Sequence, residues 1–221
     1  MQHVDACRAY REQAPKTGDA YKLRDKPWSF REQINPESAL VIPAVSSDRR
    51  PYIPIAFVDN STIVSNSAFL IPNATHYQFG ILTSRIHMCW MRLTSGYLGT
   101  SFRYSRDLTY NTFVWPPSTS EQQAKITDLA EKILLKRKSY MNKTLAELYN
   151  PETMPDDLKQ AHEDLDLVVE RLYRPEPFAD DDERTTFMLQ LYAEAVKRAE
   201  QAQQAKKKPA RASKARSIKA K

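Results

Sequence analysis

Glycine is scarce in this chain of 221 residues: there are four, Gly18, Gly80, Gly96 and Gly99, and no two are spaced as G-x-G. Average usage is about 7%, and a nucleotide-binding fold needs glycines where its backbone approaches phosphate. A self-contained Rossmann or P-loop enzyme is excluded. Cysteine is scarcer. Cys7 and Cys89 stand 82 positions apart, which builds neither a disulfide framework nor a metal-ligand cluster and fits a reducing cytoplasm. No apolar run nears the ~20 residues that span a bilayer. The start, Met1-Gln2-His3-Val4-Asp5, has no signal-peptide hydrophobic region. The expectation is a soluble, cytoplasmic protein with no membrane partner.

Catalytic patterns are missing as well. Asp157-Leu158-Lys159 matches the D-x-K fragment of metal-dependent nucleases, but Asp156 and Asp157 share one predicted helix turn. No upstream acid on a separate strand completes a metal site, so helix capping is the better reading, and no metal is expected. His76, His87 and His162 are scattered, and His162-Glu163 lacks the H-x-E spacing of a zinc deaminase. These read as structural or surface histidines. Base methylation needs Asn or Asp, then Pro-Pro, then an aromatic ring that stacks on the flipped base. The one Pro-Pro here is Trp115-Pro116-Pro117-Ser118, with neither flank correct. This chain carries no catalytic motif, and whether it counts as an enzyme stays open.

What is present is an ordinary globular mix, 41% hydrophobic, 27% charged and 10% aromatic. The net charge of +6 is unevenly spread. Residues 1–120 hold 13 Lys and Arg against 9 Asp and Glu, residues 121–205 hold 12 against 18, and residues 206–221 hold eight bases and no acid. The last stretch has little to bury and is expected to be a disordered basic tail.

The chain changes character near Pro116-Pro117. Before that point, Ala39–Pro43, Tyr52–Val58, Thr62–Val64 and Ala68–Ile71 read as short strands, the last two able to pair as a meander. Phe79, Leu82, Ile86, Cys89, Trp90 and Leu93 predict one helix over about 77–93, and 102–113 reads as a loop followed by a strand. The first half is therefore α+β. The second opens on Ser118-x-x-Glu121, a capping box for a helix to about Lys138 with Ile126, Leu129, Ile133 and Leu134 inward. A short helix over Thr144–Tyr149 follows. Pro155 then starts a third helix with Leu158, Leu165, Val168, Val169 and Leu172 inside, and a fourth spans about 182–205 with Phe187 and Leu191 inside. The domains expected are 1–117, mixed α/β; 118–205, a small all-α helical bundle; and the tail.

Two polar, basic segments in the first half have the inventory that reads nucleic acid. Ser46-Ser47-Asp48-Arg49-Arg50 joins two strands, and Phe102-Arg103-Tyr104-Ser105-Arg106-Asp107 follows the helix. Arginine is bidentate to guanine O6 and N7, and hydroxyls reach phosphates or base edges. Basic loops are also common on proteins that never meet DNA, so composition leaves both readings open. Trp90, Phe113 and Trp115 read as core rather than base-stacking platforms.

The order of the segments adds a resemblance. Pro27-Trp28-Ser29-Phe30-Arg31-Glu32, Ser46 to Pro54, Phe79-Gly80-Ile81-Leu82-Thr83-Ser84, His87-Met88-Cys89-Trp90-Met91-Arg92, Arg103-Tyr104-Ser105 and Tyr110 to Pro116 occur in sequence. This series resembles the target-recognition region of MmeI-like DNA adenine methyltransferases, which are single-chain restriction–modification enzymes. Thr144 to Tyr149, Thr153-Met154-Pro155, Ala161-His162 and Asp182-Glu183-Arg184 are similar to that family's C-terminal helical region.

The resemblance implies a DNA-recognition module for double-stranded DNA. The catalytic domain and its S-adenosylmethionine would reside upstream or on a methyltransferase partner, and no cofactor is expected in this chain. It would be a split subunit, a truncated gene product or an excised domain. The DNA-contacting residues implied are Ser46, Ser47, Arg49, Arg50, Arg92, Gly99, Ser101, Arg103, Tyr104 and Ser105. Gly99 and Ser101 stand where many relatives carry paired charged residues. The alternatives are a chain called a methyltransferase by inheritance and a remnant that docks on another subunit without touching DNA.

Overall fold

A computed structural model describes residues 2–29 and 36–218, with side chains to Ala205. Phe30-Arg31-Glu32 of the first resemblance segment lies outside the described residues. Two helices, α1 (Gln2–Glu12) and α2 (Asp19–Lys22), precede a three-stranded antiparallel sheet. Its central strand β1 (Ser38–Pro43) is flanked by β3 (Ala56–Asp59) and β4 (Ala68–Pro72). Leu40 faces Phe57 on one side and Ile71 on the other. The meander expected between Thr62–Val64 and Ala68–Ile71 is absent: residues 62–64 form no strand, and β4 pairs with β1 instead.

The expected strand over Tyr52–Val58 is shorter than the sequence suggested. Pro51 and Pro54 lack the amide that a ladder requires, so Tyr52, Ile53 and Ile55 enter the core as irregular extended chain and pairing begins at Ala56. Thr62–Val64 is not a strand either. Asp59 Oδ1 accepts from Ser61 N at 3.0 Å and Ser61 Oγ at 2.5 Å, a turn that ends β3 and leaves Ile63 exposed.

The single helix expected over 77–93 is two. α3 (His76–Leu82) starts at Thr75, whose capping box with Gln78 satisfies the first amides, and α4 (Arg85–Thr94) starts after an extended Ser84. Thr83 and Ser84 make the break: Ser84 Oγ donates back to the Ile81 carbonyl at 2.7 Å, bonding that competes with a continuing helix. The apolar stripe survives it. Phe79, Leu82, Ile86, Cys89 and Trp90 are all buried, and only Leu93 is exposed.

Helix α5 (Ser120–Lys138) is capped by Thr119 with Gln122, one residue later than the Ser118–Glu121 pair. Ser118 is engaged elsewhere, its hydroxyl 2.9 Å from that of Tyr77. Short α6 (Leu145–Leu148), α7 (Asp156–Glu170) and α8 (Asp181–Ile218) complete the chain. Pro155 is the N-cap of α7, one position before the first turn. The helical backbone of α8 continues past Ala205 to Ile218.

The two halves share one core. Leu40, Ile42, Phe79 and Ile81 from the first pack in the same cluster as Ile126, Ile133, Leu165 and Val169 from the second. The halves approach closely at Gly80, where a Cβ would lie 2.7 Å from Ile126 Cγ2 and 3.5 Å from both Ala130 Cβ and Leu165 Cδ1. Alanine is the better helix former by about 1 kcal/mol, but Ile126 is fully buried and has nowhere to retreat. Overpacking costs about 1–3 kcal/mol, so Gly80→Ala should be net destabilising in chemical denaturation. The penalty should shrink in an Ile126→Ala background, as coupled neighbours require; equal penalties in both backgrounds would mean the helices are farther apart.

Candidate nucleic-acid interface

A second, smaller sheet carries most of the candidate residues. Strands β2 (Val45–Ser46), β6 (Ser101–Arg103) and β5 (Gly96–Leu98) pair antiparallel in that order. Val45 faces Arg103 and Ser46 faces Phe102, so segments far apart in sequence become neighbours through β2 and β6. Side chains on a strand alternate between faces. Ser46, Phe102 and Tyr104 turn inward and are buried, whereas Arg103 is exposed and Ser101 partly so. Between β5 and β6 the two-residue turn Gly99-Thr100 holds Gly99 at φ +62°, a left-handed conformation that suits glycine.

The loop after β2 folds onto itself. Ser47 Oγ accepts from Arg49 N at 3.3 Å, and Arg50 Nη1 donates to Ser46 Oγ at 3.3 Å. The exposed Arg49 guanidinium pairs with Glu152, which follows α6. Ser47, Arg49 and Arg50 thus border Ala146, Asn150 and Pro151 of the helical half around a small hollow of about 130 Å³.

Four of the ten expected contact residues have structural employment. Ser46 is buried beneath the loop. Tyr104 is buried with its hydroxyl 3.2 Å from His87 Nε2, and burial raises the pKa of that phenol. Ser105 caps a single turn of π-helix, Arg106–Tyr110, accepting from Leu108 N at 3.0 Å. Arg92 donates to Asp181 Oδ2 at 2.9 Å and to the Arg50 carbonyl at 3.4 Å. Ser47, Arg49, Arg50, Gly99, Ser101 and Arg103 remain on or near the surface.

Sequence reasoning missed the polar layer beneath this surface. Asp181, at the start of α8, receives Arg92 and both Arg85 Nε (2.8 Å) and Arg85 Nη2 (2.6 Å), while Arg85 Nη1 donates to the Pro51 carbonyl at 3.4 Å. The loop's base is thereby tied to the helical half. Tyr52 Oη donates to Asp166 Oδ2 at 2.6 Å, and Asp166 Oδ1 accepts from Arg85 N at 2.7 Å. Burial pushes the Asp166 carboxyl up to about 7, against the pull of its Tyr52 and Arg85 hydrogen bonds. His162 stacks on Tyr52 with centroids 4.1 Å apart and lies 2.8 Å from Tyr149 Oη. No local sequence pattern marks these pairs, because apart from Arg85–Pro51 and His162–Tyr149 each joins residues from opposite halves.

The other early candidates resolve plainly. Asp157 of the D-x-K fragment accepts from Tyr140 Oη at 2.6 Å and pairs with Lys136 at 3.0 Å. Among the described residues no group of three or more His, Cys, Asp or Glu could hold a metal. His76 pairs with Glu131 at 2.8 Å. Trp90 is buried and donates to the Thr109 carbonyl at 3.1 Å. No helix among the described residues is long and apolar enough to cross a membrane.

Burial also sets an acid limit on the fold. It lowers His87 to about 4 and holds His162 well below the usual 6.5. The unfolded chain takes up protons at both as pH falls below about 6.5, so their contribution is complete above that pH and is lost toward pH 4. Asp166 has the opposite sign: unfolding releases its proton between about pH 4 and 7, which favours the folded chain at the acid end. Two histidines against one aspartate leave a net loss on acidification. The melting temperature should fall from pH 6.5 to 4.5 and fall less in His87→Gln; a flat profile would mean these rings are solvated.

The fold is an α+β region, with a small antiparallel sheet at its surface, followed by a helical C-terminal part. The chain belongs to the MmeI family: the model described as MmeI, target recognition domain, matches residues 1–117, and that described as MmeI, C-terminal domain, matches residues 118–200. It is 41% identical over 199 residues to DNA methyltransferase A of Bacillus subtilis (strain 168), covering 90% of this chain and 22% of that protein. It is similar also to a solved structure of the Type IIL restriction–modification enzyme MmeI in complex with DNA. That match has a TM-score of 0.80 and 35% identity over 88% of this chain and 26% of the other. The chain spans about a quarter of the length of these relatives.

Proposed function

We propose that this chain is the DNA sequence-recognition module of an adenine-specific DNA methyltransferase or restriction–modification system, acting on double-stranded DNA. The observation that carries this reading is the shared surface of the second sheet, where Ser101 and Arg103 stand beside the Ser47–Arg50 loop. The similarity to an enzyme solved with DNA supports it. Arginines and hydroxyls on one ribbon suit the two tasks of such an interface: phosphate contacts position the protein, and base-edge contacts specify the site. With Trp115-Pro116-Pro117-Ser118 as its one Pro-Pro, the chain has no motif to hold a flipped adenine. Methyl transfer and S-adenosylmethionine belong to a methyltransferase domain or partner in the bacterial cytoplasm.

Duplex binding by the purified chain tests this. Affinity should fall steeply with salt, since each neutralised phosphate releases counterions, and the chain should transfer no methyl group to adenine. Absence of duplex affinity at low salt would overturn the DNA reading, and adenine methylation by the pure chain would overturn the division of labour.

A further inference from the structure

Register divides the eight residues of the second sheet into two faces. Ser46, Tyr97 and Phe102 share one face, on which Ser46 and Phe102 are buried and the Tyr97 ring, 5.2 Å from that of Phe102, is 63% exposed at the sheet's edge. Val45, Gly96, Leu98, Ser101 and Arg103 share the outward one. Two large apolar side chains on that outward face are left in solvent, Leu98 at 60% and Val45 at 41% exposure. No acidic residue occurs in the three strands.

A lone exposed leucine on a protein surface needs no explanation. Leu98 is not in that situation. It stands directly across the turn from Ser101, with Cβ atoms about 5 Å apart as in any cross-strand pair, and on the face that also carries Arg103. A two-stranded ribbon fits the major groove, and the apolar group that base edges present there is the C5-methyl of thymine. We infer that Leu98, with Val45 on the same face, contacts a thymine C5-methyl beside the base pair met by Ser101, and is a specificity-determining residue. This rests on the DNA-recognition function proposed above.

The probe is a thymine-to-deoxyuridine scan. The preferred site is first selected by the full chain from randomised duplexes, and each thymine in turn is then replaced by deoxyuridine, which removes the methyl and preserves base pairing. One thymine, adjacent to the base pair whose preference shifts in Ser101 variants, should be sensitive, with affinity falling about fourfold, the worth of one buried methyl-sized group. Leu98→Ala should bind the thymine duplex weaker by the same factor and treat thymine and uracil there alike. Leu98→Gln should give the same loss of discrimination. Both variants should melt as the parent does, because the side chain is exposed.

The inference is overturned if the chain selects a site yet no thymine is sensitive, if the selected site has no thymine there, or if both Leu98 variants still discriminate the methyl. A chain that binds no duplex at all overturns the recognition function itself, and this inference with it.

Discussion

Leu165→Ala should lower the unfolding free energy by about 2–5 kcal/mol, the usual cost of a buried leucine truncation. Against a total stability of about 5–15 kcal/mol for a domain, that is a large fraction. Leu165 is fully buried on α7, and its Cδ1 lies close to the Gly80 position where α3 and α5 meet. A void there has helices on several sides that cannot all collapse into it. Leu191 provides the contrast. Its place on the α8 stripe suggested equal burial, but Met188 is fully buried whereas Leu191 packs at the margin of the core. Leu191→Ala should therefore cost only about 1 kcal/mol, in proportion to the smaller apolar area it hides. Denaturant titration of both variants checks the ranking; equal losses would place Leu191 in the core, and an unchanged Leu165→Ala midpoint would put α7 in the wrong register.

The shared core also explains which parts of the fold were legible from sequence. Apolar periodicity located β1, β4, α5 and α7 because burial is decided by spacing along a single element. Where local polar chemistry opposed that period, the reading failed. Thr83 and Ser84 split a helix whose apolar stripe ran straight through them, and the Ser61 contact with Asp59 makes a turn just before Thr62–Val64, which read as a strand of its own. Thr119 displaced Ser118 as cap although both head a plausible box. Choosing between them depended on Tyr77, from another element, occupying the Ser118 hydroxyl.

The surface was legible in part, for the same reason. Ser47, Arg49, Arg50 and Arg103 could be picked out by residue type, and all lie on one side of the second sheet or the loop beside it. Tyr104 could have been set aside from sequence alone: in Ser101-Phe102-Arg103-Tyr104 it shares parity with Phe102, so if one ring is inward both are. Arg92 could not. Its partner Asp181 is 89 positions away, and nothing in either local sequence points to the other. Glu152 was hidden from the loop by a similar distance, and its pairing with Arg49 means that a phosphate reaching Arg49 must displace a carboxylate. Exposed pairs of this kind contribute only about 0–1 kcal/mol, so such an exchange is energetically easy.

Altering Ser101 should change which base is preferred at one position, whereas altering Arg49 or Arg50 should change how tightly every duplex is held. The difference follows from where each residue sits. Arg49 and Arg50 occupy a loop at the edge of the ribbon, and under the proposed function a guanidinium there would meet phosphates, which carry no sequence information. Arg49→Ala or Arg50→Ala should weaken binding to all sequences and flatten the salt dependence by about one unit or less per lost contact. Arg50 should show the larger effect, since Arg49 first has to leave Glu152. Ser101 instead projects from β6 on the outward face with Arg103, opposite Leu98. Ser101→Asp or Ser101→Lys replaces a hydroxyl that both donates and accepts with a pure acceptor or a pure donor. Preference at a single base pair should shift by about 1–3 kcal/mol, with the rest of the site unchanged. Neither substitution disturbs the core, so equal melting temperatures serve as the control. Selection over randomised duplexes, with a methyltransferase domain supplied if methylation is the readout, separates the two classes of residue. Uniform loss of affinity in the Ser101 variants, together with a shifted base preference in Arg49 or Arg50 variants, would reverse the roles assigned to loop and ribbon. No effect from any of the four would mean that this surface does not meet DNA.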